Sequence, residues 1–140
     1  MGGIAGNSIA GAYSVVIANS HAKGGKDIDH GNTIYYSSTL RSSDSINNGS
    51  RILNRSIETG NPIRVIRKYT CDFIHRPLVG YRYEGLFKAV GVEEKNEGEE
   101  GGEKFWSLFR LERVAGQVGF DLNRPTESER MDYKRVKEGY

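Results

Sequence analysis

Ala12-Tyr13-Ser14-Val15-Val16-Ile17-Ala18 is nearly all apolar and β-branched at its centre, and such a run predicts a strand covered on both faces. Outward from it, Thr33-Ile34-Tyr35-Tyr36-Ser37 has the residue types that pleated sheets favour. Ile63-Arg64-Val65-Ile66-Arg67 begins with strict alternation, Ile63 and Val65 on one face and Arg64 on the other. Residues 85–92 and 104–113 are two further strand candidates. Between them, residues 93–103 are almost entirely glutamate and glycine, which predicts a flexible acidic loop in a long hairpin connection. Two helices are predicted. Residues 49–59 place Leu53 and Ile57 at helical spacing ahead of the stop signals Gly60 and Pro62. Residues 125–138 begin with Pro125, carry acids early and Lys/Arg late, and so match the helix dipole. Residues 19–31 and 37–50, rich in Gly, Ser, Asn and Asp, read as loops. Strands with short helices give a mainly β (α+β) class, a barrel or a strongly twisted sheet.

A chain of 140 residues is sized for one domain, and residues 1–140 are taken as one. Its 36% hydrophobic and 27% charged content is that of a globular protein. No apolar run approaches the ~20 residues of a membrane span. Met1-Gly2-Gly3-Ile4-Ala5-Gly6 lacks the charged start and apolar stretch of a secretory signal. A single cysteine, Cys71, excludes a disulfide framework and a cysteine-built zinc finger, so an intracellular protein fits best. The net charge of +2 conceals an asymmetry: residues 93–103 hold six of the 18 acids and one of the 20 bases, leaving the rest of the chain at +7. A basic body with a segregated acidic loop suits a polyanionic partner such as nucleic acid. A solvated surface with one acidic loop fits the same charges.

Catalytic chemistry finds little support. Gly6-Asn7-Ser8-Ile9-Ala10 has the glycine–serine look of a nucleophile elbow but lacks the buried strand that would hold such a turn. Gly3-Ile4-Ala5-Gly6 reads as a tight turn rather than a phosphate loop. His21, Asp27, Asp29 and His30 share one loop and could supply metal ligands. Their spacing matches no standard site, and Asp-x-Asp before Gly31 fits a turn whose carboxylates satisfy backbone donors. No metal or other cofactor is expected. The aromatic content is more informative. In a strand, Tyr35 and Tyr36 must face opposite ways. One can pack in a core or against a cross-strand neighbour. The other can stack on a flat ring such as a base. Asp27 nearby can accept a hydrogen bond from an exocyclic amine, and a ring plus an acceptor is the minimum for reading a cytosine that has left its helix.

Seven blocks in order carry a resemblance: Gly3-Ile-Ala-Gly6, Gly11-Ala-Tyr-Ser-Val-Val-Ile17, Asp27-Ile-Asp-His-Gly31, Tyr36-Ser37, Gly60-Asn-Pro-Ile-Arg-Val-Ile-Arg67, Tyr83-Glu84-Gly85 and Phe109-Arg-Leu-Glu-Arg-Val-Ala-Gly-Gln117. The sequence resembles the SRA domain (SET- and RING-associated, or YDG), with Glu84 in place of the signature aspartate. The resemblance implies a twisted, crescent-shaped β-barrel that binds double-stranded DNA containing 5-methylcytosine and flips the modified base into a pocket. By the same resemblance Tyr36 stacks on the base and Asp27 accepts from its amine. The backbone amides of Ala18 and Asn19 bond the base carbonyl, the Ser37 carbonyl lies near the amine, and the methyl sits beside residues 37–39. His21 takes the place of a second stacking tyrosine. Lys26, Arg41, Arg64, Arg67 and Lys68 are the candidates for DNA-backbone contacts.

The resemblance also implies a non-enzymatic chromatin module in the nucleus, with histone or chromatin partners reached through other domains and no membrane association. Two alternatives are the targeting domain of a modification-dependent nuclease and a degenerate domain used for protein interaction. Family members carry about two more strand-like segments ahead of Gly3, so a domain incomplete at its N-terminus is expected. Residues 38–50 are shorter than the finger that reads the opposite strand in some members, which leaves no basis for expecting a preference for hemimethylated DNA.

Overall fold

The computed structural model describes residues 3–18, 27–40, 48–97, 104–119 and 126–139. The strands are β1 (Ile4–Asn7), β2 (Gly11–Ile17), β3 (Ile28–Asp29), β4 (Thr33–Leu40), β5 (Ile63–Lys68), β6 (Tyr81–Glu97) and β7 (Lys104–Arg113), and all five predicted strands are among them. They form one seven-stranded sheet in the order β1-β2-β5-β6-β7-β4-β3. Every neighbouring pair is antiparallel except β2 and β5, which run parallel with Val15 opposite Val65. Among the described residues the sheet is open, with β1 and β3 at its ends, so the barrel is not closed by a hydrogen-bond ladder. It curls instead. Arg67 of β5 reaches Asp29 of β3, and the Tyr36 hydroxyl lies 3.4 Å from where a Cβ on Gly3 would stand.

Period-two alternation puts Val15, Ile17, Ile34, Ile63, Val65, Phe87, Phe109 and Leu111 inside this curl, where they form the core with Ile52 and Leu53 of helix α1 (Asn48–Thr59). Two buried serines fasten α1 to the sheet: Ser56 Oγ accepts from the Ala12 N–H at 2.8 Å, and Ser50 donates to Ser38 Oγ at 2.8 Å. Gly60 ends α1 with a φ of 67°, the left-handed cap its sequence signals.

Several expectations need correction. Ile4–Asn7, read as part of a tight turn, pairs with β2 as strand β1, and Ile28–Asp29, read within a loop, pairs with β4 as strand β3. Residues 93–97 are strand rather than acidic loop: β6 continues through Glu97, with Glu93 opposite Leu108 and Lys95 opposite Trp106. Ladder hydrogen bonds to β7 hold the backbone extended whatever its charge, and Lys95 offsets Glu93 at 3.1 Å. Residues 98–103 lie outside the described residues. Residues 38–40, expected in a loop, extend β4 beside β7. At the far end, α2 (Glu127–Gly139) starts on a capping box, with the Glu129 N–H donating to Thr126 Oγ1, and buries none of its residues. Among the described residues no helix is long and apolar enough to cross a membrane.

Candidate functional site

The β3–β4 edge brings Asp27, Tyr36 and Ser37 together. Ile28 pairs with Tyr35 and Asp29 with Ile34, so Asp27, one residue earlier, comes alongside Tyr36. Its Oδ1 accepts from the Ser37 N–H at 2.7 Å and from the Ser37 hydroxyl at 2.8 Å. Both donors fix the carboxylate in place at a half-buried position. Tyr36 is also half-buried and packs against the core cluster. Burial, and after it the Asp27 charge, push its phenol up to about 12, so at neutral pH it is an uncharged ring with a hydroxyl to donate. Beside that hydroxyl, Gly3 accepts at its carbonyl from the Val16 N–H at 2.6 Å, which places the end of β2, and Ala18 after it, on the same side. Any side chain at Gly3 would meet the Val16 carbonyl at 2.7 Å.

A second cluster lies behind this edge. Arg67 is fully buried and its guanidinium forks onto Asp29, Nε to Oδ2 at 2.8 Å and Nη2 to Oδ1 at 2.7 Å. Nη2 also donates to the Gly31 carbonyl at 2.8 Å, and Nη1 to Glu84 at 2.9 Å. Arg82 binds the other oxygen of Glu84, and the Phe73 ring lies 4.1 Å from the Arg67 guanidinium carbon. The backbone-phosphate role expected for Arg67 is therefore corrected: two buried carboxylates and a carbonyl occupy its donors. The strand alternation held the signal, since Arg67 falls on the face of Ile63 and Val65, but its charge suggested solvent. Asp29 also accepts from the Gly31 N–H at 2.9 Å, the turn role its sequence suggests, so its carboxylate serves a turn and an ion pair. Arg64, by contrast, is exposed on the outer face of β5, and Lys68 lies partly exposed with its ammonium 5.9 Å from the Tyr69 ring. Asn19, His21, Lys26 and Arg41 lie outside the described residues.

Sequence reasoning also missed what Gly85 and Gln117 do. Val65 pairs with Gly85 and Ile66 with Tyr83, so Glu84 is the extra residue of a bulge that turns it into the core. Gly85 has a φ of 101°, and a Cβ there would stand 2.8 Å from Gln117 Oε1. That amide acts as a short surrogate strand, accepting from the Leu86 N–H and donating to the Leu86 carbonyl, both at 2.8 Å.

The curled, mainly β sheet thus carries a held carboxylate and a neutral phenol at one edge. Residues 1–117 match the SAD/SRA domain family. The chain is also similar to the UHRF1-like protein of Cryptococcus neoformans var. grubii, 32% identical over 105 residues. That match covers 61% of this chain and 30% of the relative, so the chain spans less than a third of that protein's length. Among solved structures, the modification-dependent TagI restriction endonuclease superposes with a TM-score of 0.65 at 26% identity, over 84% of this chain and 44% of that one. The SUVH5 SRA domain bound to fully hydroxymethylated CG DNA superposes at 0.64 with 23% identity, over 86% and 79%. The SUVH5 SRA complex with methylated CHH DNA superposes at 0.62 with 23% identity, over 86% and 78%; these two likenesses show the fold. The chain belongs to the SAD/SRA domain family.

Proposed function

We propose that this chain reads DNA carrying 5-methylcytosine by extruding the base into a pocket at the β3–β4 edge. The observation that carries the reading is the Asp27 carboxylate, fixed by two donors from Ser37 and standing alongside a neutral Tyr36. A held acceptor suits the cytosine amine, and a phenol ring suits the base face. Extrusion costs a few kcal/mol of lost stacking and pairing. Stacking on the protein returns about 1–3 kcal/mol per base, and hydrogen bonds at the rim of the pyrimidine add to it. The methyl is one small apolar contact, worth on the order of 1 kcal/mol, so selectivity over plain cytosine is modest. Arg64 and Lys68 supply sequence-independent attraction to phosphates, and that part weakens with salt. Family membership and the SUVH5 complexes with methylated and hydroxymethylated DNA support this reading.

The chain makes and breaks no bond in this scheme. We place it in a nuclear, chromatin-associated setting, with histone or chromatin partners reached through other domains, a reading that the likeness to the UHRF1-like protein supports. The likeness to TagI favours a second reading, in which the chain targets a nuclease to modified sites. Titrating the protein against otherwise identical methylated and unmethylated duplexes tests the first reading, which predicts tighter binding of the methylated one and is refuted by equal binding. Nicking of the methylated duplex on addition of magnesium would show that the chain cleaves by itself, against both readings.

A further inference from the structure

We infer that Arg67 is a positioning residue for the base pocket, a buried fork that ties the Asp27-bearing edge to the middle of the sheet. The inference rests on the reading of Asp27 and Tyr36 as that pocket. β3 is two residues long and sits at the end of the sheet, with only the pairs Ile28–Tyr35 and Asp29–Ile34 to β4. The turn bond from the His30 N–H to the Thr33 carbonyl at 2.9 Å sets the register of this hairpin, but a ladder this short leaves the angle of β3 to contacts outside it. What fixes β3 from the core side is Arg67, which belongs to β5, a strand with no ladder contact to β3. Its two parallel bonds to Asp29 define a plane and an angle as well as a distance. A third bond pins the Gly31 carbonyl in the turn between β3 and β4. The far side of the guanidinium is held by Glu84, which the bulge in β6 turns inward and which Arg82 holds in turn. The Phe73 ring covers its face.

Two arginines face two carboxylates here, so the cluster is charge-balanced. The side chains of Arg67, Asp29 and Glu84 are each no more than 3% exposed. Asp27 is two residues from Asp29, so any slip of β3 moves the acceptor away from Ser37 and the base. Lysine would keep the charge but would present one point donor where the fork presents two.

The test measures anisotropy titrations of the full chain with a methylated duplex and its unmethylated counterpart, for wild type, Arg67→Lys, Asp29→Asn and Arg55→Ala. Near-UV circular dichroism confirms folding in each case. The expected wild-type affinity ratio is about fivefold, the worth of one buried methyl. Arg67→Lys and Asp29→Asn are expected to bring that ratio to about one while binding of the unmethylated duplex and its salt slope stay unchanged. A purely structural loss would not produce that split. Arg55→Ala, whose partners are the Ile9 carbonyl and Glu58 and not the Arg67 cluster, keeps the ratio. If Arg67→Lys fails to fold, Asp29→Asn carries the test, since it keeps the side-chain shape and one acceptor. The inference is overturned if the folded variants retain the wild-type ratio, if Arg55→Ala lowers it equally, or if both variants unfold. Equal binding of the two duplexes by wild type overturns the pocket reading itself, and the inference with it.

Discussion

Asp27 Oδ1 accepts from both the backbone N–H and the hydroxyl of Ser37, at 2.7 and 2.8 Å. One oxygen atom thus joins the residue ahead of β3 to the middle of β4. Asp27→Ala leaves the Ser37 N–H without this acceptor in a part-buried place, at a cost of about 1–3 kcal/mol in denaturant midpoint analysis. The same variant is expected to lose preference for the methylated duplex. Asp27→Asn keeps a carbonyl for Ser37 and recovers most of the stability, but with the carboxylate gone it does not recover the preference. Retained preference in Asp27→Asn would remove Asp27 from the role of amine acceptor.

Tyr36 gives the fold an alkaline signature. Its phenol is pushed up from 10.0 to about 12 in the folded chain, first by burial and then by Asp27. A raised pKa in the folded chain means that the unfolded chain releases the proton first as pH climbs. The stabilisation is whole below pH 10, and is lost between 10 and about 12. It amounts to at most about 2–3 kcal/mol. Urea midpoints followed from pH 9 upward are expected to fall more steeply for wild type than for Tyr36→Phe. Parallel curves would show that the hydroxyl is not in a desolvated place.

Gly85 explains the third residue of the Tyr83-Glu84-Gly85 signature. A Cβ there would meet Gln117 Oε1 at 2.8 Å and Arg113 Nη2 at 3.0 Å, on a backbone with φ at 101°. Gly85→Ala is expected to cost about 1–3 kcal/mol in chemical denaturation. Gly91→Ala is the comparison: open space surrounds that position, and the change should stay within about 0.5 kcal/mol. Equal effects at the two glycines would mean that the bulge does not depend on the Gln117 amide.

Much of this fold is legible along the chain. β2 stands where the apolar run of residues 12–18 predicts a strand, β5 where the alternation of residues 63–67 does and β7 at the candidate 104–113, and α1 ends at the Gly60 signal. What the chain conceals are contacts between distant segments. The parallel pairing of β2 with β5 joins stretches whose alternation says nothing of each other. β6 runs on through Glu93 and Glu94 because β7 lies beside it, against a composition that by itself favours a loop. At the site, Asp27 and Tyr36 are recognisable from residue type and family resemblance, whereas the Ser37 donors that hold Asp27 emerge only from the register of β3 on β4. Arg67 shows the same limit from the other side: its charge suggests solvent, and only the meeting of Asp29 with Glu84 inside the curl makes burial tolerable.

The extruded base is most directly observed by carbon-13 labelling of the 5-methyl group in a short duplex and following its resonance as the protein is added. The account predicts that the methyl loses its cross-peaks to the flanking bases and gains cross-peaks to protons of Ser37 and the Tyr36 ring. A methyl that stays stacked between its neighbours in the saturated complex would contradict it.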